Sequence, residues 1–292
     1  MKKIIFLLLL IFTFTIETYS EVNSKKYNKI ISLSMGGDEM VYGLVPKERI
    51  LALSGNSHKN EMRSALWNKI DDIEEVHDNI EKVIVMEPDI VIAPDWTKKT
   101  VVAHLEEAGI YVYIYKTPRS FQEEIDTIYE LAKILEVEEA GEKIVSNMKK
   151  RLEKVQKKIK ELDITPPRVL EYSHYGSTNG KGSMFDDMLS QIYITNVANE
   201  IDANGFAKLS KESVIAANPE IILIPIWDST DKKECSKFFD FIKNDKSMQE
   251  IEAIKNGDIY PIPGKYIYMY SQYIIDGIEE IAKIIYKIEI EA

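Results

Sequence analysis

Residues 120–162 run for more than forty positions without a proline and with a single glycine, Gly141. The run reads as helix. From Glu138 onward the apolar side chains Ile144, Met148, Leu152, Val155, Ile159 and Leu162 recur in steps of three and four, which draws one stripe on a 3.6-residue helix with Lys and Glu elsewhere. Pro118 before the run and Pro166–Pro167 after it lack an amide donor and close its ends. The spacing predicts a strut over residues 138–162, about 38 Å long at 1.5 Å per residue.

A similar phrase stands on each side of that strut. MEPDIVIAPDW (86–96) precedes it and ANPEIILIPIWD (217–228) follows it. In each, a proline–acid pair ends a helix and launches a β-branched run, the pattern of a strand buried on both faces of a parallel sheet. With 292 residues available, two lobes, each with its own core, are expected. The predicted organisation is an α/β chain in which two lobes with parallel central sheets are joined by one long backbone helix. The boundaries are a signal peptide at 1–20, an N-terminal lobe at 27–137, the linking helix at 138–163 and a C-terminal lobe at 164–292.

The signal reading rests on Lys2–Lys3, an apolar core over 4–16 and the small-residue pattern ending at Ser20. The core is shorter than the about 20 apolar residues that a membrane span needs. The single cysteine, Cys235, excludes an intramolecular disulfide, and no cysteine follows the signal to take a lipid. A soluble periplasmic monomer is therefore expected. The formal net charge is −11, and loss of Lys2, Lys3 and Glu17 with the signal makes it one unit more negative. Such a chain lacks the clustered cations that nucleic acid binding needs.

Strand and helix alternate through both halves, the order of a parallel α/β lobe. No GxSxG elbow, HExxH pair, dinucleotide fingerprint or Walker loop occurs, so the chain is read as a binder and not an enzyme. Open α/β sheets bind at the carboxyl ends of their strands, and two facing lobes make a cleft there. The strand-end loops carry Met35, His58, His77, Trp96, Tyr115, His174, Tyr175, Phe206, Trp227, Tyr266, Tyr268 and Tyr270. Rings with a polar tip give a large, partly polar ligand contact area and an orienting hydrogen bond. A bare zinc or manganese site would need three or four converging ligands, and the four histidines are scattered. A secreted enzyme using the cleft is the other alternative.

KIISLSMGGDEMVYGL, NIEKVIVMEPDIVIA, HLEEAGIYVYIY, the strut, KLSKESVIAANPEIILI and IKNGDIYPIPG follow one another in this order. Together they resemble the periplasmic substrate-binding proteins of iron-complex and cobalamin ABC importers, over nearly the whole chain after the signal. The resemblance implies a shallow, rigid cleft for an iron chelate, haem or a corrinoid, no cofactor of its own, and delivery to an inner-membrane ABC permease. It places Met35 and the turn before Asn79 on one side of the cleft, with Phe206 and Tyr266 on the other. His58 stands about where haem-binding relatives carry an axial Tyr or His, with His174 or Tyr175 able to face it. Siderophores carried as anions are commonly met by arginine, and the loops offer only Arg63 and Arg119. Glu212 matches the acid by which the second lobe docks to permease arginines. In the first lobe Lys98–Lys99 occupy the equivalent place, so either another residue docks, such as Glu39 or Glu61, or the permease differs from those of the family.

Overall fold

The structure is a computed structural model, and it describes residues 27–55, 58–227 and 229–290, without the side chains of 229–236. The expected signal peptide and the side chain of Cys235 lie outside what is described. In the first half, β1 (Ile30–Ser32), α1 (Met35–Leu44), β2 (Ile50–Ala52), α2 (Ile80–Val85), β3 (Ile90–Pro94), α3 (Lys99–Glu107) and β4 (Val112–Tyr115) alternate. The strands form one sheet in the order β2-β1-β3-β4, and every pairing in it is parallel. All five residues of β3 are buried, as a central strand covered on both faces requires.

Two helices, α4 (Phe121–Ile134) and α5 (Glu138–Lys160), lead into the second half. There β5 (Arg168–Glu171), β7 (Thr195–Asn196), β9 (Ile221–Ile226) and β10 (Ile259–Pro263) build a second parallel sheet in the order β10-β9-β5-β7. Around it stand α6 (Met184–Gln191), α7 (Lys211–Ala217), α8 (Ser229–Asn244), α9 (Glu252–Asn256) and α10 (Ile274–Tyr286). A short antiparallel pair, β6 (Ser177–Asn179) with β8 (Phe206–Lys208), lies outside both sheets. Residues 173–182 read as loop in the sequence because β6 has no apolar alternation to mark it.

The 120–162 run is two helices. Ser120 caps α4 through Glu123 N–H, and the chain then breaks at Glu136, whose φ is +55°. Gly141 is not the breaking point; it lies inside α5, where a Cβ would come within 2.6 Å of Ala132. The absence of proline therefore hid a turn that a left-handed glutamate supplies. The α5 strut is 23 residues long, about 35 Å. Met148, Leu152, Val155 and Ile159 of the expected stripe are buried, joined by Gly141 and Val145, while Leu162 falls beyond the helix and is exposed.

The lobes do not each keep a wholly private core. One cluster holds Leu170, Ile222 and Ile254 in the second half, and another holds Ile31, Val91 and Leu105 in the first. The largest runs across both, from Ile30 and Leu131 through Met148 and Val155 to Phe185, Leu223 and Ile278. Arg151 fastens the strut to α10 through Glu279 (2.9 and 2.7 Å) and Asp276 (2.7 Å).

Candidate functional site: the cleft between the lobes

The loops after β3 and β4 leave the carboxyl edge of the first sheet side by side. Thr117 Oγ1 donates to Asp95 Oδ1 at 2.7 Å and ties them together. Glu123, in the first turn of α4, accepts the Arg119 N–H at 2.9 Å and pairs with Lys116 Nζ at 3.1 Å. The Arg119 amide first, then Lys116, hold the Glu123 carboxyl below its usual range. On the other lobe Asn179 pairs with Phe206 across the β6–β8 ladder. Together these loops enclose a cavity of about 470 Å³ whose lining includes Trp96, Lys116 and Arg119 from one lobe and Asn179, Phe206 and Tyr270 from the other. Trp96 and Phe206 are each 66 % exposed. Burial raises the Tyr270 phenol, and nearby Arg119 opposes the rise.

Below Asn179 lies Glu171, fully buried at the end of β5. It accepts the Asn179 N–H (2.8 Å), the Asn179 Nδ2 (3.3 Å) and the Tyr268 hydroxyl (2.9 Å). Burial pushes its carboxyl up to about 7 in spite of these bonds.

Beside the cavity the lobes touch. Asn60 Nδ2 and Arg63 Nε donate to the Trp227 carbonyl at 2.8 and 3.2 Å, and the Lys265 N–H donates to the Met62 carbonyl at 2.8 Å. The Arg63 guanidinium stands 5.8 Å from the Trp227 ring, which in turn meets Tyr268 at 4.8 Å. Gly264 permits this packing, since a Cβ there would lie 2.5 Å from the indole. Gly36 does the same for the opposite lobe, with its Cβ position 2.4 Å from the Tyr270 carbonyl oxygen.

A buried polar chain runs beneath this contact. Asp38 Oδ2 is 2.7 Å from His58 Nε2, and His58 Nδ1 is 2.6 Å from Ser64 Oγ. Ser64 Oγ (3.1 Å) and the Ala65 N–H (2.9 Å) donate to Glu39 Oε1, and Ser271 Oγ donates to Glu39 Oε2 at 2.6 Å. Gln272 Nε2 donates to the Glu39 carbonyl at 2.6 Å. Burial raises the Glu39 carboxyl, and the Ser271, Ala65 and Ser64 donors oppose the rise. Asp–His–Ser has the connectivity of a hydrolytic triad, but Ser64 is fully buried and points its hydroxyl at Glu39. No substrate carbonyl reaches it.

The expected site residues therefore divide. Trp96 and Phe206 line the cavity. His58 is 3 % exposed with both nitrogens engaged, so it offers no axial position. Trp227 and Tyr268 belong to the lobe contact. Tyr266 sits against α10, where burial and then Glu280 and Asp276 raise its phenol. Met35 opens α1 next to the Gly36–Tyr270 approach. His174 meets exposed Tyr175 at 3.8 Å with the rings tilted by 41°, at the end of the β6–β8 ladder away from Phe206 and with its Nδ1 buried and unbonded. His77 lines a separate, neighbouring cavity. The first-lobe docking candidate Glu39 is buried, whereas Glu61 is exposed. Arg119 is one of the two loop arginines noted in the sequence, whereas Lys116, directly after β4, and Asn179, the last residue of β6, carry no such mark. Among the described residues no three His, Cys, Asp or Glu side chains converge as a metal site.

Residues 30–266 match the periplasmic binding protein family, and the chain belongs to it. It is similar to the uncharacterized ABC transporter substrate-binding lipoprotein YvrC of Bacillus subtilis strain 168, at 25% identity over 287 residues, covering 94% of this chain and 86% of that one. A cobalamin-binding protein of Halobacterium salinarum strain R1 is 22% identical over 146 residues, half of this chain and 40% of that protein. Among solved structures, a possible iron-binding periplasmic solute-binding protein of Staphylococcus epidermidis aligns with a TM-score of 0.76 and 25% identity, over 90% of this chain and all of that one. The periplasmic haem-binding protein RhuT of Roseiflexus, at 18% identity, aligns with a TM-score of 0.74 over 89% and 98% of the two chains. This is a substrate-binding protein of the ABC transporter kind. Among the described residues no helix is long and apolar enough to cross a membrane.

Proposed function

We propose that the chain captures a metal chelate, either an iron complex such as haem or a siderophore, or a corrinoid, in the interlobe cleft. It then hands the chelate unaltered to an ABC permease of the inner membrane, acting as a periplasmic monomer after loss of residues 1–20. The observation that carries this is the pair Trp96 and Phe206, one from each lobe, both 66 % exposed and lining one cavity with Lys116 and Arg119. Exposed rings left on a cavity wall favour a flat, largely apolar solute, and the two cations suit acidic groups at its edge. The cobalamin-binding and haem-binding relatives support the same ligand class.

Release needs recognition by the permease. Glu212 is exposed in the first turn of α7, where its own amide and then Ser210 hold its carboxyl below the usual range. It is therefore charged and available to a permease arginine. Glu61 is the first-lobe counterpart that remains exposed.

The test is incubation of the protein from Glu21 onward with cobalamin, haem and a siderophore panel. Tryptophan quenching reports binding, and mass spectrometry identifies the recovered ligand. Quenching with intact ligand is expected. Unchanged fluorescence across the panel would remove the ligand class, and a chemically altered ligand would replace the transport reading with an enzymatic one.

A further inference from the structure

A second cavity, of about 370 Å³, lies on the first lobe beside the cleft, and Trp96 is a wall of both. Its place follows from the topology. Leu33 comes directly after β1 and Trp96 after β3, neighbouring strands in the order β2-β1-β3-β4. The chain leaves these two strands toward opposite faces of the sheet. Met40 and Val41 of α1 join the core shared with α4 and α5, whereas Leu105 of α3 joins the cluster with Val83 of α2. The strand order therefore reverses between β1 and β3. The crevice at the carboxyl ends of strands that part in this way is where open α/β sheets take their ligands.

The lining has an apolar floor and a mixed rim. Leu33, Ile80 and Val101 are half-buried in the floor. On the rim stand Asp78 and Lys98, both exposed, and neither forms an ion pair among the described residues. Thr97 adds a hydroxyl between Trp96 and Lys98. His77 is held with φ at +49°, its ring against Gly55, where a Cβ would lie 2.7 Å from Nδ1. Its Nε2 is 3.4 Å from Glu75 Oε2.

We propose that this crevice is an accessory subsite that reads a neutral primary-amide arm of the chelate held in the cleft, the arm passing the edge of Trp96. The proposal rests on the reading of the cleft as a chelate site. An amide donates to the Asp78 carboxylate and accepts from Lys98 or Thr97, so it uses both signs of the rim. A carboxylate arm meets Lys98 but is repelled by Asp78, and an ammonium arm has the reverse difficulty. The apolar floor suits the short hydrocarbon stem of such an arm. Of the ligand classes proposed for the cleft, the subsite thus favours an amide-fringed macrocycle over one that ends in acids.

Four probes test this by tryptophan quenching: cobalamin, cobalamin with peripheral amides hydrolysed to carboxylates, haem, and haem with both propionates converted to amides. In the wild-type protein the amide form of at least one macrocycle should bind about tenfold more tightly than its acid form, the equivalent of one well-made polar contact. Asp78→Ala should shrink that preference to about twofold by improving the acid form, and Lys98→Ala should weaken both forms. Unchanged melting temperatures would show that these surface changes leave the fold intact. Equal binding of amide and acid forms, unmoved by either variant, would overturn the subsite and leave the cleft reading standing. Failure of all four probes to bind would overturn both.

Discussion

Along the flank that carries residues 60–65, the lobes meet through direct hydrogen bonds to the Trp227 and Met62 carbonyls over a buried polar chain. Along the flank that carries Trp96 and Phe206 they stand apart and leave rings exposed. Two neighbouring buried acids differ as sharply. Glu39, under the joined flank, accepts from Ser64, Ala65 and Ser271. Glu124, on α4 and close enough to Glu39 to feel its charge, is fully buried with neither carboxyl oxygen bonded. One flank fixes the distance between the lobes, and the other leaves a cavity between them. A gap set by bonds made before ligand arrives suits a cleft that closes little.

The contrast breaks most visibly at Glu39. Glu39→Ala strands three donors, and at a unit or more for each the loss should reach about 4 kcal/mol in urea unfolding. A loss below about 1 kcal/mol would mean that the joined flank is not held by this carboxyl. Glu124 should behave in the opposite sense. Burial, and then the neighbouring Glu39, push its carboxyl from 4.5 to about 8, so the folded state keeps a proton that the unfolded chain has lost. Stability is therefore greatest below the unfolded value and falls as pH rises from about 5 to 8. Glu124→Gln should remove that fall, a gain on the order of 3 kcal/mol at pH 8 that shrinks toward pH 5. Parallel pH–stability curves for the two proteins would show that Glu124 is solvated.

On the open flank, Trp96→Ala and Phe206→Ala should each weaken chelate binding by about 2 kcal/mol, with folding intact. Tyr266→Ala sharpens the assignment: it should lower stability and leave affinity nearly unchanged, because the ring packs by α10. An affinity loss equal to that of Phe206→Ala would return Tyr266 to the pocket. The smallest effect on the purified protein is expected at Glu212. Glu212→Arg should cost less than about 1 kcal/mol of stability at the α7 N-terminus and leave ligand affinity unchanged. It should nonetheless stop uptake by cells carrying the cognate permease, because like charges misregister partners. Normal uptake at normal protein levels would take Glu212 off the docking surface.

The sheets were legible because buried parallel strands write themselves as unbroken β-branched runs, as in IVIAP and IILIPI. The break at Glu136 was not, since a non-glycine residue in the left-handed region leaves no compositional mark. In the cavity lining, Trp96 could be read from its place just beyond β3, whereas Phe206 opens β8 and was legible through the family resemblance. His58 and Tyr266 could not be excluded, because a loop residue that turns inward looks the same in sequence as one that turns outward. Lys116 carries a subtler lesson: it sits one residue beyond β4, and a lone lysine in a loop looks the same in sequence whether it faces a cleft or the solvent, while Arg119 is legible as one of only two loop arginines.

The strut has a thermodynamic consequence. Its buried side, Val145 through Ile159, packs with Leu131 and Tyr115 of the first half and with Phe185, Ile278 and Ile285 of the second in one continuous cluster. An excised lobe would lay half of that shared interior open to water. The halves should consequently melt together in a single heat-absorption peak, with the calorimetric enthalpy equal to the van't Hoff value. A chain that looks like two bodies in outline is, by this reckoning, one cooperative unit.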